Sequence, residues 1–222
     1  MYLRMGITSK NRLCNSFSSF SIVQFLCYVL ERRIIMKIKE MVLKNRSYRR
    51  FFQEKKITTD QLKNLIEVAR LTPSAANRQP YKFKLISDET MNEKIYSCVK
   101  WAGYLKDWDG PQEGERPTAY IVMAAPNAVS AECDAGILGQ TILLAAVEMG
   151  LGGCFMGSID REKIAQFIGL SSEYKVVYVL ALGYPKEQIV IDDISADGDI
   201  KYYRDENEVH HVPKKVLEDI LL

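Results

Sequence analysis

One segment of the sequence limits the possible folds more than any other, because residues 134–149 are apolar on nearly every side of a helix. Large apolar side chains recur throughout it, at Ile137, Leu138, Ile142, Leu143, Leu144 and Val147. A helix without a polar face has to be covered by other elements or by another subunit. Gly150 is suited to end it. The chain therefore needs a layered fold that buries this helix in its core or in a subunit interface.

Helix and strand patterns alternate on both sides of this segment, from Met36 onward. Thr58 and Gln61 have the spacing of a capping box and precede a stretch with one apolar face, which predicts a helix that Pro73 stops. Alternating apolar and lysine residues predict a strand at 81–85. Further helices are predicted at 37–44, 88–99 and 160–168, and further strands at 119–125, 154–156 and 176–182. Their order predicts one α+β domain with a mixed sheet.

The composition excludes several classes of protein. With 47% hydrophobic and 26% charged residues, the 222-residue chain is globular rather than disordered. A formal net charge of +2 excludes a surface devoted wholly to nucleic acid, and we expect neither a nucleic-acid nor a membrane partner. Five cysteines, an odd number without a close pair, favour neither a disulfide framework nor a zinc motif. They indicate a reducing compartment, and we expect the protein in the cytoplasm.

Residues 1–35 differ from the rest of the chain. Residues 1–50 hold 11 basic and 2 acidic residues, a balance of +9, whereas the remaining 172 hold 19 and 26, a balance of −7. An apolar run at 22–30 has no A-x-A-like cleavage site after it and is far shorter than the ~20 residues of a membrane-spanning helix. We expect a leader, a disordered extension or a misassigned start at 1–35, followed by the functional domain at 36–222. A basic arm that binds membrane or nucleic acid is disfavoured, because 1–35 lacks a sustained amphipathic pattern.

The first stretch with chemical potential is Arg46-Ser47-Tyr48-Arg49-Arg50-Phe51. In an extended backbone Ser47 and Arg49 point to one side and Arg46 to the other. Guanidinium groups match phosphate oxygens in pairs, so this clip could hold an anion that has two faces, such as a phosphate joined to a larger ring system. A solvated basic turn is the alternative, and for an isolated run of this kind it is the commoner outcome.

The second stretch is residues 72–80, which contain small residues between Pro73 and Pro80. Such a turn is rigid and exposes its backbone groups, while Asn77 and Gln79 add hydrogen-bond donors and acceptors. It could pack flat against an aromatic ligand and hydrogen-bond to the ligand's edge. The alternative is an ordinary loop between a helix and a strand.

The third stretch, residues 150–158, is rich in glycine but fits no nucleotide-binding fingerprint. Phe155 occupies the place of the last glycine in GxGxxG, and no Gly-Lys-Ser/Thr follows as in a P-loop. The glycines would instead let the backbone approach a flat ring closely. Cys154 has no neighbouring base in the sequence, so it is expected to be a small buried hydrophobe rather than a nucleophile.

Motifs for other chemistries are missing. The sequence contains no GxSxG elbow and no HExxH, and its only histidines, His210 and His211, are neighbours that cannot easily share one metal. We therefore expect no metal site and no catalytic side chain. An anion clip, a rigid polar turn and close-approach glycines without an acid, base or nucleophile indicate that a bound cofactor performs the reaction.

Taken together, these stretches resemble the nitroreductase family of flavin enzymes. The resemblance extends from about Met36 to the C-terminus and is carried by RSYRRF, TPSAANRQPYKF, DAGILGQTILLAAVEMGLGGCFMGS, VVYVLALGYPKE and HHVPKK, in that order. It implies an α+β homodimer with a mainly antiparallel sheet flanked by helices and two FMN sites at the subunit interface. It also implies that NADH or NADPH reduces the flavin, which then reduces nitroaromatics, quinones or similar small-molecule acceptors in a ping-pong cycle.

The resemblance also assigns a clip and a turn. Arg46 and Ser47 match the contacts to the phosphate and the ribityl chain, and Arg49 matches the basic residue near the pyrimidine edge of the ring. The turn that reaches the flavin from the partner subunit is matched by Pro73, Ser74, Ala75 and Asn77, and we include Gln79 with it.

Two further regions complete the implied site. The backbone segment beside the ring is matched by Cys154, Phe155, Met156 and Gly157. His211 falls where many members place a phosphate-binding arginine. The chain departs from the family in this histidine, in Asn45 for a frequent arginine and in Tyr81 for a frequent tryptophan.

Rival functions remain open from the sequence. A flavin-binding sensor or storage protein with little turnover would need the same clip as an oxidoreductase. Within the enzyme class, a dehalogenating or flavin-fragmenting specialist is an alternative. Its substrate would be set by the long irregular segment at 100–117.

Overall fold

The computed structural model describes residues 38–130 and 132–222. The chain divides into two units, Met1–Met36 and Lys37–Leu222, and all the described residues belong to the second. The predictions made for residues 1–35 lie outside the described residues.

A four-stranded antiparallel sheet forms the centre of this unit. Its strands are β1 (Lys82–Ile86), β2 (Ala119–Pro126), β3 (Gly152–Met156) and β4 (Tyr174–Gly183), in the order β1-β2-β4-β3. Successive side chains of a strand point to opposite faces, so the two central strands supply both halves of the core. Strand β2 is buried along nearly its whole length, which agrees with its continuous apolar sequence.

Within residues 38–130 and 132–222, five α-helices flank the sheet on both faces. They are α1 (Ile38–Lys44), α2 (Thr59–Ala69), α3 (Glu89–Tyr96), α4 (Glu132–Glu148) and α5 (Arg161–Ile168). Helices α2 and α4 pack on the face that carries Ile121 and Leu180, while α3 and α5 pack on the opposite face. The result is three layers, helices–sheet–helices.

Helix α2 begins where its capping box predicts. The Thr58 hydroxyl accepts a hydrogen bond from the Gln61 backbone N–H, and the Gln61 side chain accepts one from the Thr58 N–H at 2.9 Å. The predicted apolar face is buried, with Leu62, Leu65 and Ala69 inside the core. The backbone N–H groups of Thr58 and Gln61 thus both have hydrogen-bond acceptors, which fixes the start of the helix.

Helix α4 is the segment that the sequence predicted to be apolar all round. Most of it is buried against α2 and the sheet, and Ala135, Ile142 and Ala146 are fully inaccessible. A narrow stripe containing Gly136, Gln140 and Glu148 stays exposed in the single chain. The helix is therefore a core helix with one free edge.

A second, three-stranded sheet follows the main one. Its strands are β5 (Ile189–Ile194), β6 (Tyr203–Arg204) and β7 (His210–Lys215), in the order β5-β7-β6. Strand β7 pairs in parallel with β5 and antiparallel with β6. The sequence does not predict these strands, because β6 has two residues and β7 contains a proline and two lysines. Their mixed pairing completes the predicted α+β fold with a mixed, mainly antiparallel sheet.

None of the helices formed by residues 38–130 and 132–222 is both long enough and apolar enough to span a bilayer.

Candidate functional site

The clip at residues 46–49 lies directly after α1 and is attached to strand β3. Ser47 forms a parallel bridge with Gly153, and the Tyr48 N–H donates to the Gly153 carbonyl at 3.0 Å. A side chain at Gly153 would place its Cβ 2.7 Å from the Ala181 carbonyl oxygen. Glycine is therefore required where the clip and the two strands meet, which is the close backbone approach that the glycine-rich stretch predicts.

Two neighbouring cavities share the clip residues Asn45, Arg46 and Ser47. The first, which we name the α4 cavity, has a volume of about 380 Å³ and is also lined by Gly136, Gln140, Leu143 and Phe155. The second, the basic cavity, has a volume of about 320 Å³ and is also lined by Arg49, Tyr202, His210, Val212 and Lys214.

The basic cavity concentrates positive charge. Arg46, Arg49 and Lys214 line it, and no carboxylate is among its lining residues. Several positive charges around one cavity raise the local electrostatic potential and favour the binding of an anion. Guanidinium groups form paired hydrogen bonds with phosphate or carboxylate oxygens. Burial lowers the pKa of Arg46, which remains a cation at neutral pH.

The side chain of Arg46 also caps the C-terminal end of α1. Its Nη2 donates to the Val42 carbonyl and its Nε to the Asn45 carbonyl, each at 2.7 Å. The last carbonyls of a helix lack partners within the helix, and a cation near them interacts favourably with the helix dipole. The same side chain therefore fixes the start of the clip and lines both cavities.

Arg49 is held from several sides. Its Nη1 donates to the Ser47 carbonyl at 3.2 Å and lies 3.3 Å from His210 Nε2. Its guanidinium lies over the Tyr202 ring, 4.9 Å from the centroid, and its backbone N–H donates to the carboxylate of Glu187. Because Arg49 is buried and its contacts converge, its charge has a fixed position at the wall of the basic cavity.

His210 is a neutral partner of Arg49. Its ring is fully buried, and burial together with the nearby charges of Arg49 and Arg204 lowers its pKa to about 4. At neutral pH its Nε2 accepts from the Arg49 guanidinium, and its buried Nδ1 has no hydrogen-bond partner among the described residues. The contact orients Arg49 without adding or removing charge.

His211 is not among the residues that line the basic cavity, and the phosphate contact expected of it stays a prediction. Its Nδ1 lies 2.8 Å from Asp192 Oδ2 and its ring stacks on Tyr203. The Asp192 carboxylate raises the pKa of His211. Residues 210, 212 and 214 of β7 face the cavity and residue 211 faces away, because side chains alternate along a strand. Lys214 is the cation that β7 brings to the cavity.

The side chains of the segment from Cys154 to Met156 also alternate between the two faces of the sheet. Phe155 lines the α4 cavity, whereas Cys154 and Met156 are buried in the core on the other face of the sheet, and Gly157 is exposed. Burial raises the pKa of the Cys154 thiol. This placement suits the expected role of Cys154 as a small hydrophobe.

The turn at residues 73–79 lies apart from both cavities in the single chain. None of Pro73, Ser74, Ala75, Asn77 and Gln79 lines them. A short 3-10 helix, Ala75–Asn77, forms its centre. Three of its residues other than glycine adopt left-handed backbone conformations, Ala76 (φ 50°), Asn77 (φ 52°) and Gln79 (φ 47°). This conformation costs about 1–2 kcal/mol at Ala76 and at Gln79 and less at Asn77, and such strain tends to collect at functional sites.

The structure thus brings Arg46, Ser47, Arg49 and Phe155 together and leaves the turn and His211 elsewhere. Sequence reasoning missed Lys214 and Gln140. The alternation of β7 would have identified Lys214 if that strand had been recognised. Among residues 38–130 and 132–222, no group of three or more metal-binding side chains is arranged to hold an ion.

These features define an α+β protein in which a basic cavity adjoins a second cavity beside the core helix α4. The model of the nitroreductase family matches residues 42–184, and the chain belongs to that family. A relative from Archaeoglobus fulgidus, described as an NADH dehydrogenase/NAD(P)H nitroreductase, is 27% identical over 161 residues, which cover 67% of this chain and 86% of the relative. The iodotyrosine deiodinase of Thermotoga neapolitana is 26% identical over 167 residues, covering 67% of this chain and 88% of that enzyme.

Solved structures share the fold. A nitroreductase family protein from Clostridium novyi NT superposes with a TM-score of 0.56 at 22% identity, covering 80% of this chain and 95% of that one. A nitroreductase from Exiguobacterium sibiricum 255-15, solved in complex with FMN, gives a TM-score of 0.56 at 19% identity, covering 68% and 89%. The predicted family, fold and class of enzyme, an NAD(P)H-dependent flavin oxidoreductase, are confirmed at the level of the family.

Proposed function

We propose that this protein is a cytoplasmic, homodimeric FMN-dependent oxidoreductase. It takes reducing equivalents from NADH or NADPH and passes them to nitroaromatics, quinones or similar small molecules in a ping-pong cycle. Relatives described as an NAD(P)H nitroreductase and an NADPH-dependent oxidoreductase, and the FMN-bound E. sibiricum structure, support this assignment. The observation that carries it is the basic cavity, whose Arg46, Arg49 and Lys214 adjoin the α4 cavity.

The two cavities fit the two ends of FMN. A dianionic phosphate suits the basic cavity, where Arg46 and Lys214 would neutralise it. A flat ring suits the α4 cavity, which offers the apolar side chains of Leu143 and Phe155. Ser47 borders both cavities and would contact the linker between phosphate and ring.

FMN, when bound, supplies the hydride and electron transfer, and the chain's own residues bind and orient it. Arg49 would place a positive charge at the pyrimidine edge of the flavin ring, where negative charge accumulates on reduction. The neutral His210 contacts the guanidinium of Arg49 without adding a negative charge to it. Pro73–Asn77 and Gln79 would reach the ring from the partner subunit, and the backbone from Cys154 to Gly157 would lie beside it.

A second copy of the chain could cover apolar side chains that a single chain leaves exposed. Helix α1 has no buried residue. Apolar side chains on α1 and at the C-terminus are exposed in the protomer, namely Ile38, Val42, Leu43, Ile220, Leu221 and Leu222. Removing these side chains from water by covering them with a second copy would be favourable, which supports the homodimer. We assign the cofactor-binding domain to residues 36–222 and no part of the site to residues 1–35.

The deciding experiment is a visible spectrum of the purified protein, followed by mass identification of the molecule released on heating. We expect a yellow protein that releases FMN. Arg46→Ala should weaken FMN binding roughly 10- to 100-fold, because charge-assisted hydrogen bonds to phosphate are lost. Arg70→Ala is the control, since Arg70 is exposed and pairs with Glu67 on the surface of α2.

A colourless protein that does not take up FMN in excess would overturn the proposal. Anaerobic addition of NADH or NADPH separates the enzyme from a storage or sensor protein, because only the enzyme should bleach its flavin and regain colour when a quinone is added.

Reductive dehalogenation is a second candidate reaction. The match to an iodotyrosine deiodinase over 88% of that enzyme favours it. Turnover of iodotyrosine that exceeds turnover of a nitroaromatic and a quinone would select it. If iodotyrosine is turned over no faster than the nitroaromatic and the quinone, the protein is a general reductase and not a dehalogenase.

A further inference from the structure

The carboxylate of Asp134 makes an uncommon contact across the protomer. Asp134 lies in the first turn of α4 and is 3% exposed. Its two oxygens lie 3.1 and 3.3 Å from the backbone N–H of Ala75, which is 59 positions earlier in the chain. A buried carboxylate is costly unless it accepts hydrogen bonds. The contact therefore ties the start of α4 to the centre of the strained turn.

The turn needs such an anchor. Ser74 occupies the N-cap position of the Ala75–Asn77 helix, but its hydroxyl caps no N–H of that helix. The Ser74 hydroxyl instead accepts from the Gln79 N–H at 3.0 Å, and this bond is local to the turn. Three left-handed residues would relax toward ordinary conformations if the surrounding structure did not hold them.

We propose that Asp134 is a positioning residue, whose buried carboxylate caps the Ala75–Asn77 turn from another helix and holds it in the shape that meets the cofactor. The inference rests on the proposed function, in which this turn contacts FMN bound to the partner subunit's clip. An ionised acceptor suits the role, because it makes a stronger hydrogen bond to a backbone N–H than a neutral group does.

Asp134 could affect the cofactor by either of two routes. The first runs through Ala75 to the turn, and would reach the partner's site. The second runs along α4 to Gly136 and Gln140, which line the cavity of the same protomer. A test has to separate these routes as well as detect the effect.

The first measurement is the affinity of the apoprotein for FMN, followed by flavin fluorescence and visible circular dichroism. Asp134→Ala should weaken binding about tenfold and change the visible dichroism of the bound flavin. Asp134→Asn retains an acceptor oxygen and should recover most of the affinity. Asp88→Ala is the matched control, since Asp88 also accepts from a backbone N–H, at the start of α3, and should stay within about twofold of the parent.

The second measurement uses heterodimers, prepared with two different affinity tags, of Arg46→Ala and Asp134→Ala subunits. If Asp134 acts through the turn on the partner's site, one site per dimer combines both defects and the other combines an intact clip with an intact turn. Half of the sites should then bind FMN with the affinity of the parent. If Asp134→Ala is not obtained folded, Asp134→Asn takes its place, with the same pattern at smaller amplitude.

Two results would overturn the inference. One is an Asp134→Ala protein that binds FMN as tightly, and with the same dichroism, as the Asp88→Ala control. The other is a heterodimer in which half of the sites show the affinity of each single variant and none that of the parent, since the effect would then stay within one protomer. Failure of the proposed function is distinct, because the parent protein itself would not bind FMN.

Discussion

At the scale of single residues, the direction of a side chain along strand β7 decides which charges serve the cavity. Lys214 lines the basic cavity, whereas Lys215, the next residue, does not. The same alternation separates His210 from His211. The sequence places two histidines and two lysines in this stretch, but the strand itself assigns one of each to the cavity.

This alternation yields a prediction for a matched pair of variants. Lys214→Gln should weaken FMN binding roughly tenfold, because one charge-assisted contact to the phosphate is lost. Lys215→Gln removes the same charge on the other face and should leave the affinity within about twofold, as expected for an exposed charge. Fluorescence titration of the apoproteins measures both. Equal effects would mean that net charge, and not position, governs binding.

The residues that line the basic cavity were only partly predictable from the sequence. Arg46 and Ser47 could be assigned because they are local to one motif. Lys214 could not, since it is distant in sequence from Arg46 and the two meet only when the second sheet forms beside the clip.

At the scale of elements, helix α4 connects the parts of the site. Its exposed edge lines the α4 cavity, its first turn holds the Ala75–Asn77 turn, and its buried faces fill the core between α2 and the sheet. The sequence predicted a helix that must be covered. It did not predict which edge would remain free, although two residues on that edge, Gln140 and Glu148, are polar.

Two glycines of α4 give opposite predictions for stability. Alanine at Gly139 would place its Cβ 2.0 Å from the Phe155 ring, whereas alanine at Gly136 would meet nothing within 4 Å. Gly139→Ala should lower the free energy of unfolding by about 1–3 kcal/mol through overpacking. Gly136→Ala should raise it by about 0.5–1 kcal/mol through helix propensity. Urea unfolding of both variants compares them directly, and a Gly139→Ala protein as stable as Gly136→Ala would show that the Phe155 ring moves freely.

At the scale of the whole molecule, the site lies where the main sheet, α4 and the second sheet meet. The main sheet supplies Phe155, α4 supplies Gln140, and the second sheet supplies His210 and Lys214. A buried neutral histidine at this junction makes the stability of the whole unit depend on pH.

His210 sets the sign of that dependence. Its pKa is lowered from 6.5 to about 4 in the folded protein. Below pH 6.5 the unfolded chain binds a proton that the folded chain does not, so stability falls as the pH falls toward 4. Between pH 7 and pH 5 this linkage should cost about 2 kcal/mol.

Urea unfolding at several pH values should show this loss of stability in the parent protein. In His210→Gln the loss between pH 7 and pH 5 should be smaller by about 2 kcal/mol. His211→Gln is the control, and it should not remove the loss, because the pKa of His211 is raised and its contribution has the opposite sign. An identical pH dependence in the parent and in His210→Gln would contradict the assignment.

The sequence by itself determined the family, the capping box of α2, the apolar strands and helix, and the clip at Arg46–Arg49. These features depend on periodicity and on residues close in the chain, where local geometry decides the outcome. The tertiary structure decided which histidine and which lysine face the basic cavity, which edge of α4 stays open, and which carboxylate caps the strained turn. Those outcomes depend on contacts such as Asp134 with Ala75, between residues far apart in sequence. Only the packing of whole elements brings such residues within hydrogen-bonding distance.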